Sequence, residues 1–130
     1  MRVESLDHIV FTVRDLQATI DFYTRALGMT EVTFAGGRKA LAFGRQKINL
    51  HQAGREFEPK ADTPVPGSAD VCFLTETPVE QFAAHLARLG ITVIEGPVAK
   101  TGAVGPLTSI YIRDPDRNLI EIANLKQGDG

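Results

Sequence analysis

The feature that most constrains this chain is a repeat of its own sequence. Shifted by 62 residues, its two halves align without a gap: Phe11 meets Phe73, Leu27 meets Leu89, Gly28 meets Gly90 and Thr30 meets Thr92. Similar residues pair as well, Ile9 with Val71, Met29 with Ile91 and Val32 with Ile94. A repeat of this length means two copies of one supersecondary unit, each too small to bury its own apolar face well.

Each half reads as a strand, a helix and further strands. Residues 8–13 are β-branched and strand-like. Asp15 is the expected N-cap, Leu16, Ile20, Tyr23 and Leu27 recur at helical spacing, and Gly28 stops the helix. The second half repeats this with strand 70–75, Thr77 as cap, Pro78 near the first helical position, the stripe Val79, Phe82, Leu86 and Leu89, and Gly90 as the stop. Three strands are expected after each helix, about 29–35, 38–43 and 46–52, then about 91–98, 107–113 and 118–124. Gly36-Gly37 and Asp114-Pro115-Asp116 mark turns. The final strands match at an offset of 72, so the second half carries ten extra residues. They are placed in Gly96–Pro106, which reads as a surface loop from its glycines and prolines. The expected organisation is one domain over 1–130, with modules at about 5–52 and 69–125 and a proline-bearing linker at about 53–68.

Composition narrows the function. The chain has 130 residues, of which 43% are hydrophobic and 23% charged, an ordinary globular balance. A net charge of -2 leaves no basic excess for nucleic acid. No apolar run approaches the roughly 20 residues of a membrane span. The start lacks the apolar segment of a signal peptide, and the single cysteine, Cys72, permits no internal disulfide. A cytoplasmic protein is expected.

Strand alternation separates a helix-facing apolar set from an opposite face holding His8, Thr12, Asn49, His51, Asp70, Cys72, Ser109, Tyr111, Arg113 and Glu121. Such a face is either a solvated side of an antiparallel sheet or the lining of a cleft. Tyr111 and Arg113 are candidates for binding an anionic or carbonyl substrate; a core tyrosine and a surface ion pair are the alternatives. His85 reads as structural and Cys72 as a buried, inert thiol.

The repeated βαβββ unit, the opening Leu-Asp-His-Ile-Val-Phe-Thr-Val and the closing Asp-Pro-Asp-Arg-Asn-Leu-Ile-Glu-Ile resemble the vicinal oxygen chelate superfamily. That family holds glyoxalase I, fosfomycin-resistance thiol transferases, extradiol dioxygenases and metal-free bleomycin-resistance proteins. Asn49-Leu50-His51, the stretch from Pro66 to Phe73 and Glu95-Gly96-Pro97-Val98 resemble more narrowly the group around glyoxalase domain-containing protein 5 and its small bacterial relatives. The resemblance implies an α+β fold in which two modules form a U-shaped mixed sheet around a cleft. It implies a divalent ion, Ni, Fe, Mn or Zn, with His8 and Glu121 at ligand positions. Asn49 and Asp70 depart from the family's usual ligand types. His51, two residues beyond Asn49 on the same face, is the expected third ligand. Asp70, or Glu121 itself, would move a proton, and Asn49, Tyr111 and Arg113 would contact substrate. The implied activity is lyase, isomerase or ring-cleaving dioxygenase chemistry on a small molecule with vicinal oxygens. The alternative is a metal-free binding protein of the bleomycin-resistance type. A homodimer is expected. Arg117 stands where the closing turn often has glycine.

Overall fold

β-Branched and aromatic residues at 8–13 make β1 (His8–Val13), and Asp15 ends it by capping α1 (Leu16–Leu27), its carboxylate accepting from the Ala18 N–H at 3.0 Å. The computed structural model describes residues 1–126, so the last four of the 1–130 span lie outside the described residues. Gly28 closes α1 at φ 67°, a left-handed conformation that glycine adopts without strain. There follow β2 (Thr30–Phe34), β3 (Arg38–Phe43) and β4 (Gln46–Gln52). They form a four-stranded sheet in the order β1-β4-β3-β2, with β1 parallel to β4 and the other pairs antiparallel.

The chain divides into two compact units, Met1–Ser68 and the part from Ala69 onward. In the first, α1 buries Ile20, Tyr23 and Ala26, and the sheet buries Phe11, Val13, Leu41, Ile48 and Leu50. Phe11 and Tyr23 meet edge to face at 6.4 Å. Each large side chain buried this way contributes about 1.5–3 kcal/mol.

The second unit repeats the plan with β5 (Asp70–Leu74), α2 (Val79–Arg88), β6 (Glu95–Thr101), β7 (Pro106–Arg113) and β8 (Leu119–Leu125), in the order β5-β8-β7-β6. Again the first and last strands pair in parallel. Leu86, Ile110, Ile112, Ile120 and Ile122 form its core. This is the α+β pair of βαβββ modules that the repeat predicts.

Two local expectations are corrected. Thr77 does not cap α2. Asn124 of β8 does, its Oδ1 accepting from the Val79 N–H at 2.9 Å while its amide donates to the Thr75 and Thr77 carbonyls. The expected loop at 96–106 is mostly strand, because β6 runs from Glu95 to Thr101 with a bulge between Glu95 and Val98. Gly96 allows this close pairing: at φ 105° it lies so near β7 that a Cβ would run into the Ser109 carbonyl oxygen.

Arg117, in the β7–β8 turn, has φ 68°. A side chain in this region costs about 1–2 kcal/mol, part of which glycine would return to the more flexible unfolded chain. Arg117→Gly is therefore expected to stabilise the protein by about 0.5–1 kcal/mol, read as a higher urea midpoint at unchanged m-value. A lower midpoint would show that the arginine stem contributes more than the strain costs.

Candidate functional site

In the first unit, β1 and β4 bring Thr12 and His51 side by side, and Val10 beside Asn49. Continuing the β3–β4 register by one residue places Arg38 across from His51. The Arg38 guanidinium lies 3.4 Å from His51 Nε2. Arg38 is itself held over the Phe57 ring at 4.2 Å, and Phe57 meets the His51 ring edge to face at 5.6 Å. His51 is 3% exposed. Burial first, and then the Arg38 charge, hold its imidazole below the usual histidine range. Beside it is an open cavity of about 520 Å³ between β1 and the segment Pro59–Ser68.

His8 stands apart from this group. Its partner across β4 is Lys47, four residues before His51, which is roughly 13 Å along a strand. His8 is exposed, and its Nδ1 lies 2.8 Å from the Asp7 carboxylate. Asn49 is buried at 8% exposure, and its Oδ1 has no hydrogen-bond partner.

In the second unit Glu121 sits mid-strand in β8, with Cys72 of β5 across from it on one side and Tyr111 of β7 on the other. Burial, then the Glu121 charge and a hydrogen bond to its carboxylate, push the Tyr111 hydroxyl up to about 12 and the Cys72 thiol up to about 11. Both are neutral donors to that carboxylate at ordinary pH. Cys72 is exposed rather than buried, because it shares the exposed face of β5 with Asp70 and Leu74, while Val71 and Phe73 take the half-buried face. Asp70 is exposed, one pleat along from Cys72. The Arg113 guanidinium donates to the Arg117 carbonyl at 3.3 Å, a contact with the turn.

The donor chemistry sorts the expected metal ligands. A carboxylate on one imidazole nitrogen, as Asp7 is on His8, is the arrangement that orients a metal-binding histidine. Glu121, with two neutral donors holding its carboxylate, also suits a ligand. His51 does not fit. A guanidinium only donates hydrogen bonds, so Arg38 occupies the Nε2 lone pair and sets a positive charge where a cation would bind. His8 also lies four strand residues from the level of His51, roughly 13 Å between their backbones. Among the described residues no group of three or more His, Cys, Asp or Glu side chains is gathered to hold a metal.

Arg38, Lys60 and Phe57 are members of this site that strand alternation in β1, β4, β5, β7 and β8 did not reveal. The signal for Arg38 was available: β3 has the same parity, and its hairpin partner at that level is His51. Phe57 and Lys60 belong to the linker, where periodicity carries no information.

Comparison with known proteins agrees with the architecture. The family model of the glyoxalase/bleomycin resistance protein/dioxygenase superfamily matches residues 5–122. Glyoxalase domain-containing protein RDO1 of Mycosarcoma maydis is 60% identical over 124 residues, covering 95% of this chain and 70% of that protein. Virulence protein STM3117 of Salmonella typhimurium is 56% identical over 123 residues, covering 95% of this chain and 85% of that protein. Its crystal structure superposes with a TM-score of 0.95 over 97% of this chain and 100% of the other. A lactoylglutathione lyase from Agrobacterium tumefaciens shares the fold, with a TM-score of 0.72 at 23% identity over 95% of this chain and 96% of the other. By its matched residues and its paired βαβββ modules, the chain belongs to the glyoxalase/bleomycin resistance protein/dioxygenase superfamily.

Proposed function

We propose that this chain is a metal-dependent small-molecule enzyme of the glyoxalase or dioxygenase type, with His8 and Glu121 as protein donors to a divalent ion. The observation that carries the reading is the 2.8 Å contact between Asp7 and His8 Nδ1 on an exposed ring, a carboxylate–imidazole pair of the kind that orients a metal-binding histidine. Bound there, such an ion would act as a Lewis acid on paired substrate oxygens. The chain's own groups do the rest. Tyr111 and Cys72, both protonated, orient the Glu121 carboxylate. Asp70, exposed and acidic, is the candidate to carry a proton. Substrate is a small molecule with vicinal oxygens, and the working form is a homodimer in the cytoplasm. No described helix is long and apolar enough to cross a membrane.

The second reading is a metal-free binding protein, favoured by Arg38 against His51 and by Asn49 at a position where the family commonly has a carboxylate or its amide. Elemental analysis of tag-free protein separates the two. The metal reading expects close to one Ni, Fe, Mn or Zn per chain, lost in both His8→Ala and Glu121→Gln and retained in His51→Gln. A wild-type preparation that is empty and takes up none of these ions would leave the binding reading standing alone.

A further inference from the structure

We propose that the first unit carries a binding site for a small carboxylate with an apolar body, in which His51 is a hydrogen-bond donor. The cavity of about 520 Å³ beside β1 falls in the range of small-molecule sites. Val10, Pro64 and Val65 offer it apolar surface, and Thr12, His51 and Lys60 offer polar groups. None of its lining residues is Asp or Glu.

The direction of the His51 hydrogen bonds follows from Arg38. Every polar hydrogen on a guanidinium is a donor, so at 3.4 Å Nε2 must accept. The ring proton of the neutral imidazole is then on Nδ1. Arg38 is fixed in turn between the Phe57 ring at 4.2 Å and the Phe34 ring at 5.5 Å. It is a positioning residue: it sets the tautomer and leaves Nδ1–H as the donor of a residue that lines the cavity. Thr12, level with His51 in the β1–β4 register, adds a hydroxyl. Lys60 adds an ammonium whose nearest acids are Glu56 at 3.7 Å and Glu58 at 3.5 Å, contacts long enough to leave donor capacity. Two neutral donors and one cation, on residues lining a cavity whose lining includes no acid although Glu56 and Glu58 stand behind Lys60, match a carboxylate, which accepts charge-assisted hydrogen bonds. The valines and prolines match a hydrocarbon or aromatic body.

This site stands independently of the metal reading, and its test reports on different residues. Sodium benzoate is titrated into the isotope-labelled full chain, with benzamide as the uncharged probe of the same shape. The His51 ring is expected as the Nδ1–H tautomer, and benzoate is expected to shift signals of Thr12, His51, Lys60 and Val65. Benzamide is expected to bind about tenfold more weakly. His51→Ala is expected to weaken benzoate about tenfold. His51→Asn, whose side-chain N–H can take the place of Nδ1–H, is expected to stay within about threefold of wild type. Thr12→Val, close in shape to threonine, is expected to lose about threefold and keeps the test open if His51→Ala does not fold. An Nε2–H tautomer would overturn the proposal. Equal binding of benzoate and benzamide, or wild-type affinity in both His51→Ala and Thr12→Val, would overturn it too. So would selective broadening of the His51 ring signals by added Mn(II), which would return His51 to metal binding.

Discussion

Replacing Asp114 by alanine is expected to destabilise the protein by about 3–5 kcal/mol, a large share of the roughly 5–15 kcal/mol that holds a domain folded. Asp114 is 4% exposed and organises the turn between β7 and β8. Its Oδ1 accepts from the N–H groups of Asp116 and Asn118, each at 2.9 Å, and its Oδ2 accepts from the Asn118 side-chain amide at 2.8 Å. Asn118, 2% exposed, passes the order on: its Oδ1 accepts from the Ala69 N–H at 2.8 Å, at the entrance to β5. Alanine would strand three donors away from water, at about 1–3 kcal/mol each before relaxation. The loss propagates from the turn to the start of β5, and so to the strand facing Glu121. Urea denaturation followed by circular dichroism measures it. A loss below about 1 kcal/mol would mean that water enters the turn and replaces the carboxylate. Asp114→Asn is expected to fall between, because one oxygen remains to accept but an amide would then face the Asn118 amide.

This turn shows how far sequence alone carries. Asp114-Pro115-Asp116 is legible as a turn, because aspartate bonds its own backbone two residues on. That Asn118 then ties the turn to Ala69, 49 residues earlier, is a tertiary fact with no local signal. The same division holds elsewhere. β3 and β4 lie at 38–43 and 46–52 as expected, since hairpin glycines and apolar alternation are local properties. The strand expected at 91–98 lies instead at 95–101, because Gly96 and Pro97 have loop chemistry while the fold uses the glycine for a close approach to Ser109 that no side chain permits. The α2 cap escaped because Asn124 reaches it from another strand. For the site, alternation predicted the faces of His51 and Glu121. It could not say that Arg38 takes the lone pair of one or that Cys72 and Tyr111 flank the other, because each depends on strand order and register.

Cys72 is expected to react with iodoacetamide about tenfold more slowly at pH 8 than an unperturbed exposed thiol, despite standing exposed on β5. Its pKa rises from an ordinary value near 9 to about 11, which without solvent screening is about a 100-fold loss of thiolate. Solvent at an exposed sulfur screens part of that, hence the smaller figure. Burial against the sheet is the larger cause, and the Glu121 carboxylate is next. Glu121→Gln keeps the size and removes the charge, so it is expected to speed alkylation by about threefold and to lower the midpoint of the pH–rate profile. Wild type and variant are compared after chelator treatment, because the variant is also expected to lose metal. If the slow reaction came from steric shielding, the variant would react no faster and its midpoint would not move. A faster variant would show that the charge of Glu121 acts directly on Cys72. The thiol would then be, like the Tyr111 hydroxyl, a proton held in place to steady that carboxylate, and its poor nucleophilicity would follow from that role.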